Sequence, residues 1–218
     1  MCTTGATREF APESVDDASV RAIIDLARYA PSGGNRQPWR VVVVKEPSLR
    51  RAIRDAYVMG WREYMAHTDL GLVPFAPREH NLWTGPAVDL DAARSVPRPN
   101  AFADHLDEVP VMLVLLARLA GLAVTDNGLS RQSIVGGASV YPFAHNVLLA
   151  AHDAGLGGVM TTVICREEAK VKELLGVPEE YSVAGLIALG RPVHKITRLR
   201  RKAVGELAYL DRFGASFE

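Results

Sequence analysis

Two apolar runs do most to limit what this chain can become. Val109–Ala117 is the longest apolar stretch. It is far too short to cross a bilayer, which takes about 20 residues in a helix. Pro110 instead opens a strand that runs through Leu116. Val41–Val44 are four consecutive β-branched residues, and they predict a buried strand. Helical stretches stand between and around these runs. Asp16 or Asp17 caps a helix to about Ala30, with Val20, Ile23, Ile24 and Ala27 on one apolar face and Pro31 as its stop. Ser48 starts a second helix. A long helix covers about Ser139 to Ala154, with Pro142 tolerated in its first turn and Gly155 at its end. A strand near Val159–Ile164, a short helix Glu167–Leu175 closed by Gly176 and Pro178, and a strand Val183–Leu189 complete the pattern. Helices and strands mix without strict alternation, so the class is α+β.

Between Tyr57 and Asp107 the pattern weakens into prolines, glycines and scattered aromatics. This is expected to be an irregular lid or a small helical insertion. The tail from Gly190 is basic, then aromatic, without a core pattern. It is expected to be loose or laid across a partner. With 218 residues, one domain is expected over the whole chain.

Charge and cysteine usage remove several classes of function. Lys plus Arg equals Asp plus Glu at 25 each, so the formal net charge is zero. Such a chain has no general field for nucleic acid or an anionic membrane, and any anion site must be a local cluster. Cys2 and Cys165 suggest neither a disulfide framework nor a metal site. The start, Met1–Phe10, has no apolar run of signal-peptide length. A cytoplasmic protein is the expectation.

The familiar catalytic motifs are missing. No Gly-x-Gly-x-x-Gly follows a strand, no phosphate loop ends in Gly-Lys-Ser/Thr, and no Gly-x-Ser-x-Gly elbow is present. His145 and His152 share a helix face, and read as packed or interfacial rather than as metal ligands. An enzyme built this way needs a cofactor that brings its own chemistry. Three segments could build such a site: Thr7-Arg8 with Phe10, the loop Pro31–Trp39, and the cluster Arg198, Arg200, Arg201 and Lys202. In the loop, glycines allow close backbone approach, and Asn35 and Gln37 supply amide groups. Taken singly, each is accounted for as a helix-stopping turn or a solvated charge cluster.

Together, they carry a resemblance. Ala27-Arg-Tyr-Ala-Pro-Ser-Gly-Gly-Asn-Arg-Gln-Pro-Trp-Arg40 resembles the first flavin loop of the nitroreductase family, in a form common among actinobacterial members. Gly136-Gly-Ala-Ser-Val-Tyr-Pro-Phe143 and Asn146–Ala151 resemble that family's central helix. Gly155-Leu-Gly-Gly-Val-Met-Thr-Thr162 resembles its second flavin loop. Val171–Pro178, Ala188-Leu-Gly-Arg-Pro192, Arg200-Arg-Lys202 and Asp211-Arg-Phe-Gly214 follow in the family's order.

The resemblance implies a mostly antiparallel sheet flanked by helices, and an intertwined homodimer holding FMN between its subunits. Pro31, Ser32, Gly33, Asn35 and Gln37 would meet the flavin ring from one subunit. Met160, Thr161 and Thr162 would approach its reactive edge. Arg8, Arg200 and Arg201 would meet the phosphate. The family's usual first Arg and Ser near the N-terminus are absent, since Thr4-Gly5-Ala6-Thr7-Arg8 stands there; the phosphate then falls to the remaining cations. The implied reaction passes a hydride from NADH or NADPH through flavin N5 to a small electron-poor acceptor such as a nitroaromatic or quinone. Trp61, Phe75 and Trp83 are candidate acceptor walls. No side chain need act as an acid or a nucleophile. Dehalogenation, enone reduction, oxygen-dependent flavin cleavage and flavin sequestration remain open alternatives.

Overall fold

Side chains of the central strands alternate between two buried faces, and this decides the architecture. The computed structural model describes residues 1–217. Its strands are β1 (Trp39–Val43), β2 (Val111–Arg118), β3 (Gly157–Thr161) and β4 (Tyr181–Gly190). They form an antiparallel sheet in the order β1-β2-β4-β3. Helices α1 (Asp17–Ala27) and α5 (Tyr141–Asp153) cover one face. The other face is covered by α2 (Pro47–Asp69), α4 (Ala101–Asp104) and α6 (Glu168–Leu175), while α3 (Leu90–Ser95) packs on α2. On β2, Val111, Leu113, Leu115 and Ala117 point to the first face. Met112, Val114 and Leu116 point to the second. With both faces covered, a period-2 strand loses its polar alternation and becomes a continuous apolar run. The α+β reading and the helix-flanked antiparallel sheet are the fold observed.

Several boundaries differ from the sequence reading, each for a local reason. Strand β1 begins two residues early, at Trp39, and is an edge strand, so only Trp39 of its five residues is buried and Val43 is exposed. Of the four β-branched residues only Val44, just past the strand, is fully buried, and Val41 and Val42 are half-buried, so the run marks strand propensity more than full burial. Helix α1 stops at Ala27, because Pro31 disfavours helical backbone in the residue before it. The helix expected from Ser139 begins at Tyr141, since Val135–Ser139 winds as a 3-10 turn and Val140 has non-helical angles. Strand β3 ends at Thr161, and Val163–Glu167 is a further 3-10 turn.

The largest difference concerns residues 57–107. Helix α2 starts at Pro47, where the Glu46 carboxylate accepts from the Ser48 and Leu49 N–H groups, and continues unbroken to Asp69. Its buried positions are Ile53, Ala56, Tyr57, Gly60, Glu63, Ala66 and His67, a helical stripe interrupted by a glycine and a glutamate. Phe102, Ala103 and Leu106 also belong to the core. Irregular chain is concentrated in residues 70–89.

A buried carboxylate fixes the turn that leads into α5. Asp126 Oδ2 accepts from Arg131 at 2.7 Å and from the Ile134 N–H at 2.8 Å. Its Oδ1 accepts from the Ser133 hydroxyl at 2.8 Å and the Val135 N–H at 3.3 Å. The Ile134 N–H, aided by Arg131 and Ser133, holds this carboxyl well below the usual carboxylate range.

Two expectations follow from the packing. Phe143 is buried and stacks on Trp39 with ring centroids 5.2 Å apart. Phe143→Ala should lower unfolding free energy in urea by about 3–5 kcal/mol. Asp126→Asn should lower the melting temperature at pH 7. A carboxylate with a depressed folded pKa stabilises above its unfolded value, near 3.9, and loses that contribution as the pH falls through the folded pKa. The gap between wild type and variant should therefore close as pH drops below about 4, as a melting series across pH 2–8 would check.

Candidate functional site

The loop before β1 is shaped by backbone that few side chains accept. Gly34, Asn35 and Gln37 all have positive φ, at 58°, 51° and 47°. Ser32 closes the loop on itself: its carbonyl accepts from the Asn35 N–H and its hydroxyl from the Gln37 N–H at 2.9 Å. The Gln37 amide nitrogen donates to Asn35 Oδ1 at 3.1 Å. Pro31, Gly33, Asn35 and Gln37 are exposed, and Ser32 is half-buried. The Gly33 N–H donates to the buried Ser139 hydroxyl at 3.0 Å, which ties the loop to the turn before α5.

The second expected loop lies across the sheet. Met160 and Thr161 end β3, and Thr162 follows, exposed. The Tyr57 hydroxyl lies 3.1 Å from Thr161 Oγ1, and burial raises the Tyr57 pKa. Arg8 is close enough to oppose that rise with its charge, so Arg8, Tyr57 and Thr161 form one neighbourhood. The N-terminal segment also lies along this edge, since Ala6 bridges Gly158 and the Thr7 N–H donates to the Gly158 carbonyl. Arg8 has no ion-pair partner among the described residues.

Both loops open at the same end of the sheet. The start of β1 pairs with the end of β2, and the end of β2 with the start of β4. Strand β3 runs antiparallel to β4, so its end points the same way. The loops nevertheless sit on opposite edges, three strand spacings or roughly 14 Å apart. Between them stands the start of α5. A bulge in β4 at Ala184 leaves that carbonyl outside the ladder, and the Tyr141 hydroxyl donates to it at 3.3 Å.

A cavity of about 620 Å³ opens beside Thr162. Phe75 and Trp83 line it, together with Tyr64, Gln132, Tyr141, Cys165 and Arg166. Trp61 does not; it stacks on Tyr64 with centroids 5.7 Å apart, behind the wall. The Cys165 thiol donates to the Val183 carbonyl, and burial pushes its pKa up to about 12, so it stays protonated. Arg200 and Arg201 are exposed on the tail, just after Leu199, which packs against Gly5. They thus begin on the same edge as Arg8.

The expected residues therefore gather into two groups. One joins Arg8, Met160, Thr161 and Thr162 with the cavity and the start of the tail. The other is the loop Pro31–Gln37. Sequence reasoning missed Tyr57, Ser139 and Tyr141 as supports of these groups. Ser139 and Tyr141 lie inside the Gly136–Phe143 motif, and Tyr57 lies on the helical stripe of α2. Among the described residues, no cluster of His, Cys, Asp and Glu could hold a metal, and no helix is long and apolar enough to cross a membrane.

Known proteins share this fold. A family model described as the Nitroreductase family matches residues 5–191. Iodotyrosine deiodinase 1 of Mus musculus is 28% identical over 205 residues, covering 93% of this chain and 65% of the deiodinase. The chain thus spans about two thirds of that curated relative's length. An NADH dehydrogenase from Thermus thermophilus is 27% identical over 188 residues, covering 86% of this chain and 82% of that protein. Among solved structures, oxidized iodotyrosine deiodinase bound to FMN and 3-iodo-L-tyrosine aligns with a TM-score of 0.64 at 20% identity, covering 98% and 96% of the two chains. The NADPH:FMN oxidoreductase from Vibrio harveyi, complexed with NAD+, aligns with a TM-score of 0.65 at 19% identity, covering 97% of this chain and 75% of that one. These structural likenesses establish the fold, and the family match spans nearly all of the chain. The chain belongs to the nitroreductase family.

Proposed function

We propose that this chain is an FMN-dependent oxidoreductase that works as a homodimer, taking hydride from NADH or NADPH and passing it to a small electron-poor aromatic acceptor. The observation that carries the reading is the separation of the two loops. Each presents exposed polar groups at one end of the sheet, yet lies on its own edge. Two copies of the chain would complete each site, with Pro31–Gln37 from one protomer facing Arg8 and Met160–Thr162 from its partner.

The residues present fit FMN. Asn35 leaves its side-chain nitrogen free of partners among the described residues, as a ring heteroatom requires. Arg8 is an uncommitted cation. The Thr4 hydroxyl is buried without a hydrogen-bond partner, which suits a phosphate oxygen. Arg200 and Arg201 supply further positive charge.

Bound there, FMN supplies the two-electron chemistry and this chain orients and screens. The loop Ser32–Gln37, held in place by Ser139, would hold the ring from one protomer. The Thr161–Thr162 segment, braced by Tyr57, would hold it from the other. Phe75, Trp83 and Tyr141 shape the acceptor space, and residues 70–89 act as its lid. The deiodinase relatives favour a halogenated aromatic as a second acceptor class. Both free cysteines and the nicotinamide supply suit a cytoplasmic setting.

The test is an absorbance scan of the purified protein under anaerobic conditions. A flavin spectrum that NADH or NADPH bleaches, and that nitrobenzene restores, is the expected outcome. A colourless protein that fails to bind added FMN would sink the reading. A bound flavin that neither nicotinamide reduces would point to sequestration instead. Arg8→Ala and Arg201→Ala should each weaken FMN roughly 10- to 150-fold, the worth of a charge-assisted hydrogen bond. Both side chains are exposed, so unfolding curves should be unchanged. Asn35→Ala should weaken FMN or shift its potential; retention of both values would contradict the assignment of this loop.

A further inference from the structure

Glu63 is fully buried on α2, and the proposed reaction makes no use of it. Its Oε1 accepts from Arg94 Nε at 2.5 Å and its Oε2 from Arg166 Nε at 2.6 Å. Arg94 also pairs with Glu167. Two guanidinium groups thus meet two carboxylates, and the cluster is neutral. Burial works to lower the Arg94 pKa, but Glu63 and Glu167 outweigh it and the value rises, so the ionised form is kept.

The cluster reaches the cavity through one member. Arg166 is the one ionic side chain among the described residues that line it. Its neighbours there, Tyr64, Trp83, Gln132, Tyr141, Thr162 and the protonated Cys165, carry no charge. The guanidinium carbon of Arg166 lies 4.6 Å from the centre of the Phe75 ring, while its Nε edge is taken by Glu63. Gly60 permits this arrangement, because a Cβ there would lie 2.8 Å from the Val163 carbonyl and 3.2 Å from Arg166 Cβ. A buried ion pair seldom adds stability over an apolar replacement of the same size. Retaining one behind a cavity wall matches the charge that the wall presents.

We propose that Glu63 is a specificity-determining residue: by cancelling the charge of Arg166 it sets the cavity for uncharged aromatic acceptors over anionic ones. The inference rests on the acceptor role assigned to this cavity. Removing Glu63 would leave the cluster at one positive charge, and removing Arg166 at one negative charge. These changes act on the charge of an anionic acceptor in opposite directions, so the preference for it over a neutral one of equal shape moves in opposite directions too.

The experiment uses the flavin-loaded protein with 4-nitrobenzyl alcohol and 4-nitrobenzoate, which differ by one charge. Kd is read from quenching of tryptophan fluorescence and kcat/KM from nicotinamide oxidation. Glu63→Gln should shift the benzoate-to-alcohol preference toward benzoate by about three- to ten-fold, and the shift should shrink with added salt. Arg166→Gln should shift it the other way by a similar factor. If Glu63→Gln does not fold, Arg166→Gln alone decides. Equal losses for both probes in these variants would overturn the Glu63 assignment and leave the flavin reading standing. Wild-type holoprotein that binds neither probe would instead overturn the acceptor role of the cavity and this inference with it.

Discussion

With strands ordered β1-β2-β4-β3 and every neighbour antiparallel, the segment entering β1 and the segment leaving β3 emerge at one end of the sheet but cannot touch. That constraint follows from hydrogen-bond geometry alone. Strands β2 and β4 must lie between them, and each is filled with apolar side chains on both faces. The sheet therefore acts as a rigid spacer. The two loop groups are held apart in one chain, and in the homodimer proposed above a second copy of the same surface would bring them together.

The supporting shell is built to keep each group still. Asp126 gathers four donors and fixes the turn that ends at Ser139, and Ser139 in turn receives the Gly33 N–H. On the other edge, Tyr57 comes up from α2 to Thr161. Both supports come from elements whose other side is core. A loop of exposed glycines and amides is thereby given a defined shape without losing access, as a pre-organised ligand site requires. The Glu63 cluster does for the cavity wall what Ser139 does for the loop.

Much of this was legible in the sequence, and the failures have physical causes. The β2 run announced itself because two-sided burial leaves no polar residues. The turn before β1 was visible because positive φ selects glycine and asparagine. Helix α2 was cut short because its inner stripe contains Gly60 and Glu63, residues that ordinarily mark a surface or a break. Glycine was needed there for close approach to Val163, and glutamate for two arginines distant in sequence, so neither reason can be read locally. Strand β1 erred the other way: β-branched residues report strand preference, while burial depends on which edge the strand occupies. Trp61 was grouped with Phe75 and Trp83 by composition, but its place on α2 turns it onto Tyr64.

Subunit complementation tests the central claim, that each site takes one loop group from each protomer. One protein carries Arg8→Ala with Arg201→Ala, and the other carries Ser32→Ala with Asn35→Ala. Each homodimer should lack bound flavin. The heterodimer, co-expressed with two tags and purified on both in turn, should then hold one intact site and one doubly defective site, because the surviving groups face each other only once. Flavin at about half the wild-type content per dimer, with matching activity, is the expected result. A heterodimer as empty as either parent would show that both groups act within a single chain, and would contradict the account.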